Sequence, residues 1–345
     1  MSNVLSESAA PVRQWHHVDR DIFEKEIAPL GVPAVLKNYV ADWPAVKLAA
    51  QAPDVLCDYL RSISLEKPVQ SFNGTPEMRG RFFYEEDMRG FNFERRNEPL
   101  SHVLDRLLEH IDTPSPPYFY AGAVNVPENL PDFSRDHQMA LLPSQMEQLT
   151  SIWVGNKTRI PIHWDLPQNI ACVVAGRRQF TLFPVDQLKN LYIGPIDFTI
   201  AGQPCSLVDL HHPDVQKFPK FKEAAKQALM ADLEPGDALY IPSLWFHHVE
   251  ALDPFGMLVN FWWRDGPDYM FTPLYTLMHA LLTIREMPAS ERMSWRTMFD
   301  HYIFQTGDDP AMHIPPEARG ILGEMTPQKV GALRHFLARQ LDPKL

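Results

Sequence analysis

The chain of 345 residues has few cysteines, no long apolar run and no excess of basic residues. Cys57, Cys172 and Cys205 lie far apart and form no CxxC pair, which argues against a disulfide framework and against a thiolate zinc site. The longest apolar stretch, near residues 274–284, is too short to span a bilayer, and the N-terminus lacks the pattern of a secretory signal. We therefore expect a cytoplasmic protein without a membrane partner.

The charge balance narrows the expected partners. The sequence has 32 Lys and Arg against 43 Asp and Glu, a formal net charge of −11. Broad binding to nucleic acid relies on clustered basic side chains, so no nucleic-acid partner is expected. A protein, peptide or small-molecule substrate remains. A hydrophobic content of 45% is ordinary for a globular protein with a sizeable core.

Hydrophobic periodicity predicts a mainly β chain with added helices at both ends. The predicted strands lie between and after helices of the N-terminal part, and three more helices follow the Gly266-Pro267 pair. This pattern predicts a first domain over residues 1–265 and a C-terminal helical region over residues 266–345. The predicted helices cover residues 19–30, 53–62, 100–111, 274–285, 290–304 and 326–341, and the predicted strands include residues 118–120, 151–154, 238–241, 244–252 and 257–263.

The last predicted helix carries an apolar stripe, which must be buried against another apolar surface. Thr326 is placed as its N-cap and Pro327 as its first helical residue. The stripe consists of Val330, Leu333, Phe336, Leu337 and Leu341. It packs either on the β core or on a second copy of itself, and we expect a homodimer through the C-terminal helices.

A segment rich in arginine and phenylalanine, residues 78–96, allows two interpretations. Interleaved Arg and Phe side chains sometimes bind a base or a peptide. Glu85, Glu86, Asp87 and Glu94 nearly cancel the arginines, however, which favours a solvated face held by salt bridges.

The stretch from Ile160 to Pro184 contains the first candidate site. His163 and Asp165 flank Trp164, and alternation along an extended strand turns both side chains to one face, close enough to bind one metal ion. Two histidines and one carboxylate leave three coordination positions free, as an Fe(II) oxygenase requires for a bidentate cosubstrate and O2. The HxD spacing therefore predicts two ligands of a metal centre, whose third ligand, a histidine, must come from another part of the chain.

The third ligand is expected from the distant strand at 244–252. His247 and His248 are adjacent there and alternate between the two faces, so the pattern alone does not choose between them. His211 and His212 form another pair, but no further ligand stands at a matched spacing in the sequence, which favours a surface loop.

Three segments together resemble the JmjC-type cupin family, in particular its branch similar to the asparaginyl hydroxylase that inhibits the hypoxia-inducible factor. The segments are HWDLPQN, AGRRQFTLFP and PGDALYIPSLWFHHVEAL, and a looser match covers Trp43-Pro44-Ala45. The resemblance implies a double-stranded β-helix (cupin or jelly-roll) core and an Fe(II)- and 2-oxoglutarate-dependent dioxygenase.

The same resemblance implies roles for individual residues. It assigns His163, Asp165 and His248 as the iron ligands and leaves His247 beside them or in packing. Arg178 stands where the family usually has a lysine that pairs with the far carboxylate of 2-oxoglutarate, and arginine can also bind a carboxylate bidentately. Three polar residues stand where related proteins place groups near the cosubstrate, namely Tyr120, Asn169 and Asn260.

Two alternatives to the oxygenase follow from the same residues. Ile160 stands where the family has a hydroxyl side chain, so Ile160 and Arg178 together suggest a binding protein that retains a metal or a small acid without turnover. A metal-dependent cupin isomerase or sugar-modifying enzyme is a third option, although it usually has more histidine and glutamate ligands.

Overall fold

The computed structural model of the protein describes residues 9–143, 145–304, 307 and 309–342, and these form two compact units. The first unit ends at Arg264 and contains all the strands of the described residues. The second begins at Asp265 and is helical. The two units are described separately.

The first unit is built from two sheets. The smaller sheet has the strand order β1-β11-β10-β13-β8, and the larger has the order β2-β3-β12-β9-β14-β7-β6-β4-β5. The strands are β1 (Ala10–Pro11), β2 (Gln14–Trp15), β3 (Ala34–Leu36), β4 (Pro68–Gly74), β5 (Phe93–Pro99), β6 (Tyr118–Asn125), β7 (Gln148–Gly155), β8 (Arg159–His163), β9 (Gln168–Ala175), β10 (Arg178–Phe183), β11 (Leu229–Leu233), β12 (Ala238–Ile241), β13 (Phe246–Ala251) and β14 (Gly256–Trp263).

Alternation along β9 shows how the larger sheet is covered on both faces. Ala171 and Val173 pack with residues of the smaller sheet such as Phe180. Cys172 and Val174 face the opposite way and pack in the cluster that includes the N-terminal helices. Strands buried on both faces read as continuous apolar runs, which explains the sequence IACVVA. This arrangement agrees with the predicted mainly β core.

Helical segments occur in each of the six ranges that the periodicity predicts, with bounds that differ by a few residues. The described chain also has short helices at residues 44–49, 126–129, 133–136 and 221–225, which were not predicted. The helices are α1 (Arg20–Ile22), α2 (Pro44–Ala49), α3 (Pro53–Ile63), α4 (Leu100–Glu109), α5 (Val126–Asn129), α6 (Phe133–Asp136), α7 (Phe221–Ala225), α8 (Pro273–Thr283), α9 (Ala289–Phe299) and α10 (Pro327–Leu341). The segment after α1 continues as a π turn (Phe23–Ile27) and a 3-10 turn (Ala28–Leu30), which completes the helix predicted over residues 19–30.

A Pro-Gly-Asp turn, residues 235–237, sets the position of β12. Gly236 has a φ of +100°, as the third residue of a type II turn requires, and the Asp237 amide donates to the Glu234 carbonyl at 3.0 Å. The buried Asp237 carboxylate accepts hydrogen bonds from Lys37 Nζ at 2.6 Å and from the Asn38 amide at 3.0 Å. These bonds hold the chain beyond β3 against the turn that precedes β12.

The second unit exposes many large apolar side chains. None of the residues of α8 and α9 is buried in the described chain, and in α10 only Val330 is buried. Leu282 is 82% exposed and Phe336 is 58% exposed. Among the helices of the described residues, none combines the length and the apolar character needed to cross a membrane.

Candidate active site

A bulge between β8 and β13 places two histidines opposite each other. His247 pairs with His163, whereas Val249 pairs with Ile160, so β8 has one residue more than β13 between these pairs. Pro161, which has no amide hydrogen, lies in this bulge, where a ladder bond is not required. The imidazole rings of His163 and His247 are 4.3 Å apart at their centroids.

Asp165 completes a cluster with these two histidines. One candidate ligand atom from each of His163, Asp165 and His247 lies within 4.8 Å of the others. The Asp165 Oδ2 atom is 3.6 Å from His247 Nε2. The predicted approach of His163 and Asp165 is therefore present in the structure.

Backbone carbonyls orient both imidazoles. His163 Nδ1 lies 2.9 Å from the Pro161 carbonyl oxygen, and His247 Nδ1 lies 3.0 Å from the Trp245 carbonyl oxygen. Each Nδ1 therefore carries the proton and donates it, which leaves the Nε2 lone pair for a metal ion. Burial and the neighbouring His163 lower the pKa of His247 to about 4, so its ring is neutral at pH 7, the form that binds metals.

The structure corrects the predicted third histidine. His248 faces the opposite side of β13, where it clusters with His211 and Glu250 instead of His163 and Asp165. Adjacent residues of a strand point to opposite faces, so one of the pair must turn away from the cavity. The placement of His248 in the cluster was wrong, and His247, set aside as a neighbour, occupies that position.

The cluster lies in a cavity of about 440 Å³ between the two sheets. The cavity is lined mainly by apolar and aromatic side chains, with a few polar groups, the usual character of a small-molecule site. Its wall includes Phe72, Phe82, Trp153, Ile160 and Trp262.

Arg178 enters this cavity as a buried cation. It begins β10, is 2% exposed, and its Nε and Nη2 atoms have no hydrogen-bond partner in the described chain. Burial lowers the pKa of Arg178, but a guanidinium stays charged at any physiological pH. A buried charge without a partner is strongly unfavourable, so this site fits an anionic ligand.

Arg177 has a different environment from its neighbour. Its side chain is exposed and pairs with Asp253 through two bonds, Nε at 3.1 Å and Nη2 at 2.8 Å. Arg177 therefore belongs to an exposed charged turn, whereas Arg178 does not. Arg178 faces the cavity because it follows by one residue along the strand.

The three other predicted polar residues also line the cavity. Asn169 comes from β9, Asn260 from β14 and Tyr120 from β6. Asn260 Nδ2 donates to Asn169 Oδ1 at 2.6 Å, and Asn260 Oδ1 has no hydrogen-bond partner among the described residues. Burial raises the pKa of Tyr120, so its phenol keeps its proton, while the charge of Arg178 lowers this pKa and that of Asp165 raises it.

Sequence reasoning missed part of the cavity wall. Phe82 was assigned to a solvated face, yet it is 2% exposed and packs against Phe72 and Tyr120. Arg81 lies over the Phe83 ring at 3.7 Å, so the aromatic stretch is partly covered by its own arginines. The alternation in RFFY places Phe82 and Tyr84 on one face and was the available signal.

Comparison with known proteins decides the family. The sequence model of the cupin-like domain matches residues 11–269. The chain belongs to the cupin-like domain family.

Relatives of this cupin-like domain cover different shares of it. The tRNA wybutosine-synthesizing protein 5 of Danio rerio is 26% identical over 273 residues, which span 72% of this chain and 74% of the relative. The human bifunctional peptidase and (3S)-lysyl hydroxylase JMJD7 is 26% identical over 267 residues, or 70% and 79% of the two chains. Lysine-specific demethylase 8 of Xenopus tropicalis is 36% identical over 121 residues, which cover 35% of this chain and 26% of the demethylase.

The family and its relatives confirm the predicted class of protein. The cupin-like domain is an Fe(II)- and 2-oxoglutarate-dependent oxygenase with a jelly-roll core. The residues of the cavity are suited to bind both Fe(II) and 2-oxoglutarate. The cluster offers two imidazoles and one carboxylate, the donor set of non-haem Fe(II) oxygenases, and Arg178 offers an unpaired buried cation for a dicarboxylate.

Proposed function

We propose that this cupin-like domain hydroxylates a protein side chain, with His163, Asp165 and His247 binding Fe(II) and Arg178 binding the far carboxylate of 2-oxoglutarate. The observation that carries the proposal is the unpaired, buried guanidinium of Arg178 in the same cavity as the histidine and aspartate cluster. One residue set thus offers a metal site and an anion site within a single cavity.

The chain's own groups bind and orient the reactants. When bound, iron and 2-oxoglutarate would supply the oxidation chemistry, in which O2 gives one oxygen atom to the C–H bond, to form C–OH, and the other to 2-oxoglutarate, which becomes succinate and CO2. Tyr120 provides a protonated phenol beside Arg178, and we propose that it donates the hydrogen bond that Ile160 cannot donate. Asn169 and Asn260 add amide groups from the facing sheet.

The charge of the cavity favours a neutral target group. Among the residues that line the cavity in the described chain, Asp165 is the only carboxylate, and it belongs to the metal cluster. An ammonium group bound there would be buried without a counter-ion, which is strongly unfavourable. We therefore propose a neutral side chain as the group that is hydroxylated, in contrast to the lysines named for two relatives.

Two indole groups indicate that the substrate also brings hydrogen-bond acceptors. Trp153 and Trp262 line the cavity and contact each other edge to face, with centroids 5.7 Å apart. Their Nε1 atoms are buried and have no partner in the described chain. Gly122 allows the approach of Trp153, because a Cβ there would lie 3.0 Å from its ring. Peptide carbonyl oxygens are suitable acceptors for both donors.

Succinate release from a peptide library tests the substrate class. Peptides that differ only at one central residue are incubated with the enzyme, Fe(II), 2-oxoglutarate and O2. We expect peptides with a neutral central residue to stimulate succinate release at least about tenfold more than those with lysine or arginine, because burying an unpaired charge costs several kcal/mol. Mass spectrometry is expected to find one added oxygen atom on the stimulating peptides.

Other outcomes of this assay assign other functions. Stimulation by lysine peptides would contradict the neutral target. The same assay is also run with tRNA in place of peptides, because one relative is a tRNA wybutosine-synthesizing protein. Stimulation by tRNA instead of peptides would contradict a protein substrate. The net charge of −11 is the reason to expect no tRNA effect.

We also propose a homodimer through the C-terminal helices. Helices that bury no residue gain little stability from packing, so α8 and α9 need a further apolar surface. Exposed apolar side chains also occur on α10, where Phe336, Leu337 and Leu341 of the predicted stripe are 46–62% exposed. The same surface of a second copy of the chain would bury these apolar side chains in a dimer with twofold symmetry.

Light scattering on the full-length chain tests the dimer. We expect about twice the chain mass of 39.6 kDa for the wild type and the single chain mass for Leu282→Glu, which places a charge in the apolar surface. Leu188→Glu is the matched control, since Leu188 is 50% exposed in the first unit, and this variant should remain dimeric. A monomeric wild type, or a dimeric Leu282→Glu variant, would contradict the proposal.

The cytoplasmic location remains a proposal as well. It is supported by the three cysteines, which are free and buried. Burial raises the pKa of Cys57 to about 12 and that of Cys205 to about 11, so both stay as unreactive thiols.

A further inference from the structure

A second cluster of potential metal ligands lies on the outer face of β13. It consists of His248 and Glu250 from the strand and His211 from the irregular segment between the 3-10 turn at Val185–Asn190 and α7. One ligand atom from each residue lies within 4.8 Å of the others, and His211 Nε2 is 2.9 Å from Glu250 Oε2. His211, one of the two histidines that the sequence placed in a surface loop, thus lies beside two residues that are 37 and 39 positions further along the chain.

Strand alternation separates this cluster from the oxygenase centre. His247 and Val249 face the inner cavity, whereas His248 and Glu250 face outward. The two clusters therefore share a strand but no residue.

The buried imidazole of His248 forms no hydrogen bond within the part of the chain that the structure describes. It is 7% exposed, and neither of its ring nitrogens has a hydrogen-bond partner in the described chain. Buried polar atoms are almost always satisfied, so an unsatisfied ring requires an explanation in terms of a bound species. With His211, Arg81 and Arg159, the ring lines a cavity of about 10 Å³, which is close to the size of one water molecule or ion.

Arg81 and Arg159 line the same small cavity, and each is held in place by a group outside the cluster. Arg81 Nη1 lies 3.7 Å from Asp209 Oδ2, and its guanidinium stacks on Phe83. Arg159 Nε donates to the Arg79 carbonyl oxygen at 2.8 Å. Glu250 is therefore the carboxylate that lies beside the two histidines.

We propose that His211, His248 and Glu250 bind a zinc ion as a second, structural metal site. Two histidines and one carboxylate form a ligand set that zinc accepts in proteins, with water as the usual fourth ligand. The side chains of His211 and Glu250 are 23% and 17% exposed, so an ion reaches the site from solvent. The ion links the segment around His211 to β13 next to His247, and this role is independent of the proposed substrate.

Zinc titration in a variant without the first site tests the proposal. His163→Ala/Asp165→Ala removes two inner ligands and leaves the outer cluster intact. Calorimetric titration of this full-length variant with Zn²⁺ is expected to show one bound equivalent and a higher unfolding temperature in the presence of the ion. Adding His211→Ala should abolish both effects.

A matched control is the adjacent histidine. His212 is exposed and lies outside the cluster, so adding His212→Ala should leave the single equivalent unchanged. Glu250→Gln provides a second disruptive variant if the histidine variant unfolds, and circular dichroism checks folding in each case. Absence of zinc binding in the double variant, or equal binding after His211→Ala and His212→Ala, would overturn the proposal and leave a water in the cavity.

Discussion

The His247→Ala variant is expected to lose more than about 100-fold in succinate release and to lose the absorption band of the anaerobic Fe(II) and 2-oxoglutarate complex. The reason is geometric, because His247 pairs with His163 across the bulge and offers its Nε2 to the same point as Asp165. Residues that merely orient a metal ligand change affinity or activity by about 10–100-fold, so removal of a ligand should exceed this range.

His248→Ala is the matched variant at the next position. It removes an imidazole from the outer face and leaves the inner donors in place, so the absorption band should persist and the activity should stay within roughly tenfold of the wild type. The reverse ranking of the two variants would restore His248 as the iron ligand and would refute the structural assignment. The unfolding temperature of each variant separates loss of the site from loss of the fold.

Arg178→Met is expected to raise the 2-oxoglutarate concentration for half-maximal activity by about 30-fold or more. Truncating one partner of a buried charge pair costs about 2–5 kcal/mol, and each 1.4 kcal/mol is a factor of ten. Methionine keeps much of the volume without the charge. Because the guanidinium has unpaired Nε and Nη2 atoms, the variant without cosubstrate should be as stable as the wild type or more stable.

Arg177→Met separates the cosubstrate effect from a general effect of charge removal. Arg177 is exposed and pairs with Asp253 at the surface, and such pairs contribute about 0–1 kcal/mol. We expect an unchanged 2-oxoglutarate requirement in this variant. Equal effects of the two substitutions, or a large loss of stability in Arg178→Met, would contradict a cosubstrate role for Arg178 and favour a structural one.

The two predictions are connected through β13 and β10, which are neighbours in the smaller sheet. β13 carries His247, and β10 begins with Arg178, so the metal cluster and the cation are fixed in one rigid sheet. Tyr120, Asn169 and Asn260 come from the facing sheet. A site assembled on strands of two packed sheets holds its groups more precisely than one assembled on loops.

A one-residue shift explains why the third ligand was assigned wrongly. The family resemblance aligned the second histidine of the pair with the iron site. Glu250 shares a face with His248, so an inward His248 would have placed a second carboxylate inside an apolar cavity. The sequence HVE therefore contained a signal for the outward face, and the resemblance outweighed it.

The sequence by itself determined the features that depend on local pattern. Period-two alternation turned His163 and Asp165 to one face, helical periodicity located α3, α4 and α10, and the Pro-Gly-Asp triplet specified its turn. These features follow from backbone geometry and side-chain type over a few neighbouring residues.

Only the tertiary structure decided which distant residues meet. Register between β8 and β13 selected His247, because a shift of one residue reverses the face of every side chain on a strand. The meeting of His211 with His248 and Glu250, and the absence of a partner for the buried Arg178 among the described residues, depend on how the sheets and the segment around His211 pack. Local pattern contains no information about such long-range pairing, and the chemistry of both clusters depends on it.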